Sequence, residues 1–227
     1  MANANRIKQQ AAAPSGTEGA LAGPRFTAAA PAEVFFSVPP THLHHRPVYF
    51  EAPEFGFIDQ LLDIGGGAGE VVGLLKQRQP QLKATVFDFA PVCNRALDWF
   101  HQSEQSADLG AHPGDFFSDP LPSGFAAAQF SHVLELFSSE QILFLLKKAF
   151  DSLPRGGKLF IYGHACDEEK QPMKESSWCL PAFTLFVTGA SRLYAVSQYM
   201  RWLRVVGFSR ISYRHDGART LFLMAIK

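Results

Sequence analysis

Asp63-Ile64-Gly65-Gly66-Gly67-Ala68-Gly69 is the stretch on which the fold of this 227-residue chain turns. It follows a short apolar run, Phe57 to Ile64, that reads as a buried strand. After it, Glu70 to Gln79 carries Val71, Val72, Leu74 and Leu75 as the apolar side of a helix. A strand that passes through glycines into a helix leaves backbone amides bare at the helix start. There, the amides and the helix dipole attract an anionic group. A dinucleotide-binding loop counted from Gly65 requires a glycine at position 70, but Glu70 stands there and its charge would face a pyrophosphate. The spacing therefore argues against a nicotinamide-dependent oxidoreductase. It leaves a cofactor with a carboxylate or another small anionic end.

Outward from the loop, strand and helix signals alternate. Leu82 to Phe87 is a second apolar strand closed by Asp88, a position from which a carboxylate can accept both hydroxyls of a ribose. Pro91 suits the first turn of a helix over 92–102. Residues 103–112 are polar and leave room for only a short strand. A strand at 126–134, a helix at 140–153, a turn at 154–157 and a strand at 158–162 follow. Helices over 178–187 and 195–206 precede two strands, 208–214 and 220–226, around Asp216-Gly217. This order predicts an α/β fold: a doubly wound, Rossmann-like, mostly parallel seven-stranded sheet with a C-terminal antiparallel hairpin.

Lys plus Arg and Asp plus Glu both total 21, so no basic excess points to nucleic acid or a membrane surface. No apolar run reaches the length of a membrane span, and the N-terminus lacks the pattern of a secretory signal, so a cytoplasmic protein is expected. Cys93, Cys166 and Cys179 form no CxxC pair, which argues against a zinc ribbon or a disulfide scaffold. His42, His44 and His45 have no acidic or thiol neighbour, and no metal centre is expected. Residues 1–50, interrupted by Pro24, Pro31, Pro39, Pro40 and Pro47, read as irregular or disordered, with one domain over 51–227.

The D-x-G-x-G-x-G form of residues 63–69 resembles motif I of class I S-adenosylmethionine-dependent methyltransferases. Three further segments resemble one group among them, the plant and bacterial small-molecule O-methyltransferases that include the caffeate, flavonoid and acetylserotonin enzymes. These are Gly114-Asp115-Phe116-Phe117 with Pro120-Leu121-Pro122, Ser131-His132-Val133-Leu134, and Pro154-Arg155-Gly156-Gly157-Lys158-Leu159. The resemblance implies S-adenosyl-L-methionine as cofactor and a hydroxyl of a small aromatic or polyketide-like molecule as acceptor. It implies that Asp63, Gly65, Gly67 and Gly69 wrap the methionyl end, that Asp88 holds the ribose, and that Asp115 and Phe116 meet the adenine. Phe89 and Ser131 complete the expected cofactor set.

Two departures from the family bear on catalysis. Where the family has His-Asp-Trp, with its His as general base, this chain has Glu135-Leu136-Phe137. Where the family places a Glu at the end of the fifth strand to orient that His, Gly163 stands, followed by His164. Glu135, with a pKa raised by burial, and His164 are the candidate bases. The alternatives are a nucleophile that needs no base, or a degenerate homologue that binds cofactor in a regulatory or scaffold role. The family's N-terminal helical dimerisation domain also has no counterpart here, which implies a more open pocket, completed by a second copy or a partner protein. Met173, Trp178, Phe183 and Phe186 are read either as an apolar acceptor wall or as ordinary helix packing.

Overall fold

A computed structural model of the chain describes Tyr49 and residues 52–103, 108–165, 194–216 and 220–227. The histidines at 42–45, Cys166, Cys179 and the segment holding Met173, Trp178, Phe183 and Phe186 lie outside the described residues.

Strands Gln60–Ile64 (β1), Ala127–Ser131 (β4) and Lys158–His164 (β5) are buried along most of their length, and Lys83–Asp88 (β2) along half of it. With Leu109–Pro113 (β3), Ser209–Asp216 (β6) and Thr220–Ile226 (β7) they form one seven-stranded sheet in the order β3-β2-β1-β4-β5-β7-β6. The first five run parallel; β7 is antiparallel to both β5 and β6. The expected architecture is therefore observed. Its strands read as continuous apolar runs because helices cover both faces.

Side chains alternate along each strand and divide the core in two. Leu62 and Ile64 of β1, Leu159 and Ile161 of β5, and Leu221 and Leu223 of β7 pack with helices Ser139–Ser152 (α3) and Val196–Val206 (α4). On the opposite face Leu61, Phe160, Tyr162 and Phe222 pack with Tyr49, Phe55 and helices Glu70–Arg78 (α1) and Ala90–Gln102 (α2). The α3 start is locked by a capping box between Ser138 and Gln141, and α4 stops at Gly207, whose φ of 115° suits the left-handed turn there.

Several element boundaries differ from the sequence expectation. The run from Phe57 enters the sheet only at Gln60, because Pro53–Phe57 forms a 3-10 turn opened by its proline and leaves Phe57 exposed. The third strand is short, as expected, and reaches one residue past His112 as a five-residue edge strand; its terminal Pro113 is tolerated at an edge. The fourth strand stops at Ser131 instead of reaching Leu134, since His132 adopts a left-handed φ of 57° and a 3-10 turn, Leu134–Leu136, follows.

The chain runs outward from β1 to β3, then returns to β4 on the other side of β1. The crevice at that reversal, outside the carboxyl ends of the strands, is where open α/β sheets bind ligands. Residues 63–69, Asp88, Ser131, His132, Gly163 and His164 all lie at those ends.

Candidate functional site

The glycine bend is held from below and open above. The Gly65 amide donates to the Phe87 carbonyl at 2.8 Å, and the Gly69 amide to the Gly66 carbonyl at 3.1 Å. A Cβ on Gly66 would sit 2.5 Å from Asp63 Oδ2, and one on Gly69 2.4 Å from Phe100 Cζ, so backbone is pressed onto side chains on this side. Gly67 differs. Its φ is 60°, and nothing lies within 4 Å of where its Cβ would be. Left-handed backbone beside empty space makes a cradle that a ligand can approach closely.

Asp88 ties this cradle to the second strand. One carboxylate oxygen accepts from the Gly67 amide at 3.0 Å and the other from the Phe89 amide at 2.8 Å. Burial raises its pKa, and those two amides pull it part of the way back. A carboxylate has about four acceptor sites, so ribose hydroxyls can be added to the two bonds already made. Phe89 caps α2 beside it, partly exposed.

Asp63 is fully buried, and neither of its oxygens has a hydrogen-bond partner among the described residues. Burial raises its pKa to about 7, while the Gln129 side chain lowers it and the charge of Asp88 raises it further. The Tyr49 hydroxyl donates to Gln129 Oε1, and burial lifts the Tyr49 pKa as well. An orphaned carboxylate under an open glycine bend fits a cofactor whose amino-acid end carries a cation.

Phe116 is buried against the loop, 3.6 Å from where a Gly65 Cβ would be. Its carbonyl accepts from Lys148 of α3 at 2.6 Å. Asp115 receives the Phe117 amide at 2.8 Å and donates its own amide to Asp119, which makes a closed turn. Ser131 ends β4 opposite Tyr162.

The acceptor-side residues come together differently from the sequence expectation. Glu135 is buried, and its Oε1 lies 2.9 Å from His132 Nδ1 and 3.4 Å from the backbone amide of His164. Burial alone would raise its pKa. The hydrogen bond and charge of His132, with the charge of His164, outweigh burial and hold it below the usual glutamate value. The raised carboxyl expected of a base is not found; Glu135 is an ionised group that holds an imidazole. The rings of His132 and His164 stand 5.0 Å apart. A Cβ on Gly163 would sit 2.7 Å from Glu135 Oε2, so the missing side chain at 163 is what admits this carboxylate. Glu135 and Gly163 thus fit one another.

His132, Tyr49 and Gln129 were not singled out from the sequence. The i,i+3 spacing of His132 and Glu135 was visible, but its use depended on the left-handed turn at His132.

A model of the O-methyltransferase domain matches residues 44–209. The chain belongs to the O-methyltransferase family. Among curated relatives of this O-methyltransferase domain is 3-hydroxy-5-methyl-1-naphthoate 3-O-methyltransferase of Streptomyces sahachiroi. It is 30% identical over 154 residues, which cover 68% of this chain and 44% of that protein. The chain thus spans under half the length of that relative. The crystal structure of the S-adenosylmethionine-dependent methyltransferase SibL in its apo form is similar with a TM-score of 0.73 at 24% identity, over 88% of this chain and 60% of that one. A family 2 O-methyltransferase from Planctomyces limnophilus, solved in complex with apigenin, matches with a TM-score of 0.66 at 26% identity, over 74% of this chain and 49% of that one. Among the described residues of this methyltransferase domain, no helix is long and apolar enough to cross a membrane.

Proposed function

We propose that the protein binds S-adenosyl-L-methionine in the crevice at the β1–β4 reversal and transfers its methyl group to a hydroxyl of a small aromatic or polyketide-like molecule. The observation that carries this reading is the open bend at Gly67, with the orphaned Asp63 beneath it and Asp88 tied to it, in a domain of the O-methyltransferase family.

The cofactor supplies an electrophilic methyl group on a sulfonium. In this reading Gly65, Gly67 and Gly69 wrap its methionyl end and Asp63 faces the ammonium. Asp88 accepts the ribose hydroxyls beside Phe89. Phe116 and the Asp115 turn close over the adenine, and Ser131 lines the crevice floor. Most of the rate enhancement is placement, since an oriented pair of reactants saves about 7–11 kcal/mol of a barrier. The acceptor enters at the His132–Glu135–His164 end, and its hydroxyl proton leaves toward that cluster. Glu135 acts there as a positioning residue and His164 as a group within reach of the acceptor. A second copy or a partner protein covering the open end of the crevice, and a cytoplasmic setting, belong to the same reading.

The test is methyl transfer from isotopically labelled cofactor to a panel of phenols, with Glu135→Gln and His164→Ala in parallel. The expected result is turnover that falls at least tenfold in each variant while cofactor affinity holds. Unchanged turnover in both variants would overturn the acceptor-side assignment. Failure to bind either the cofactor or its demethylated product would overturn the whole reading.

A further inference from the structure

We propose that His132, Glu135 and His164 form a binding site for one divalent transition-metal ion of the zinc class, placed at the acceptor end of the crevice. One ligand atom from each of the three lies within 4.8 Å of the others. The donor set, two imidazoles and one carboxylate, is the one that binds zinc and iron with positions left open for a substrate oxygen. Ligands 2.0–2.2 Å from an ion stand roughly 3.0–3.5 Å apart. The His132 Nδ1 to Glu135 Oε1 separation of 2.9 Å is just under an edge of such a polyhedron. An ion would take the place of the proton those two atoms share. Bringing in the His164 ring takes a side-chain rotation at the last residue of β5.

Three features of the surroundings support a built site. Glu135 is almost wholly buried, which excludes competing water from one side of the ion, while both histidines are part-exposed toward the crevice. His132 is held at a φ of 57°, a left-handed conformation that residues with a side chain adopt rarely and that collects at functional positions. The absent side chain of Gly163 makes the volume in which the Glu135 carboxylate sits. The ion's role rests on the reading of this end as the acceptor site: an acceptor oxygen in an open coordination position is both placed and made more acidic. Binding of the ion itself does not rest on that reading.

The experiment is titration of chelator-treated full-length protein with Co²⁺, followed by visible d–d absorption and then by displacement with Zn²⁺. One Co²⁺ per chain is expected, with imidazole-ligated bands. Affinity should fall at least tenfold in Glu135→Gln and at least a hundredfold in His132→Ala/His164→Ala. A His42→Ala/His44→Ala/His45→Ala variant should bind as the wild type does. Far-UV circular dichroism checks each fold, and His164→Gln serves if the double variant does not fold. No stoichiometric Co²⁺ binding by the wild type, or binding lost with the 42–45 histidines and kept in the double variant, would overturn the proposal. Cofactor affinity and labelled methyl transfer in excess chelator are read alongside. If those persist while Co²⁺ does not bind, the metal site alone is wrong and the methyltransferase reading stands.

Discussion

Two residues define the chemistry of this crevice through what their neighbours lack. Glu135 has its place because position 163 has no side chain, and neither oxygen of Asp63 has a hydrogen-bond partner among the described residues. For Asp63 this has a measurable consequence. A carboxyl raised from 3.8 to about 7 binds its proton more tightly in the folded chain than in the unfolded one. Its favourable contribution is complete below about pH 4 and is lost as pH rises toward 7. Three units at about 1.4 kcal/mol each put the loss on the order of 4 kcal/mol. Urea denaturation of the cofactor-free protein between about pH 5 and pH 8 should show this component, and Asp63→Asn should flatten it. A variant whose stability varies with pH as steeply as the parent's would mean that Asp63 has found a partner. The cofactor's cation should favour the ionised form. Cofactor affinity is therefore expected to rise from about pH 6 to pH 8 in the parent and to stay level in Asp63→Asn, as read by calorimetry.

At the scale of elements, the bend between β1 and α1 and the turn after β4 do the positioning. Both depend on left-handed backbone, at Gly67 and at His132. Alanine at position 67 meets no atom within 4 Å, so any cost is conformational, about 1–2 kcal/mol for a residue with a Cβ in that region. Gly67→Ala should therefore fold with a modestly lower denaturation midpoint. It should nevertheless bind cofactor at least tenfold more weakly, because the new methyl group projects into the cradle. A full-affinity Gly67→Ala variant would show that the ligand does not come close to this amide. The glycine bend was legible in the sequence, since glycine spacing reports a backbone requirement directly. The turn at His132 was not: a histidine in that conformation carries no compositional mark, and the apolar Val133-Leu134 prolonged the strand pattern.

For the whole molecule, the cofactor crevice draws on β1, β2, β3 and β4, so ligand binding couples parts of the chain far apart in sequence. A ligand at a hundred times its Kd adds about 2.7 kcal/mol to stability, which for a chain of this size raises Tm by roughly 5–10 °C. S-adenosylhomocysteine should produce a shift of that order in thermal unfolding, and NAD should produce none. A shift with NAD alone would overturn the choice of cofactor made from Glu70 and the glycine spacing.

What the sequence determined by itself was everything written in local pattern. The alternation of apolar strands and amphipathic helices set the sheet and its two covered faces. The glycines after Asp63 set the bend, and Asp88 closed the second strand beside it. These follow from backbone sterics and burial within a few residues, which a linear reading captures. The tertiary structure alone decided the state of Asp63 and the surroundings of Glu135. The first is set by burial and by Gln129 and Asp88 arriving from other strands, and the second by Gly163 and His164 arriving from β5. A carboxylate's charge depends on the solvent removed and the donors supplied by distant segments, and that sum exists only once the chain is folded.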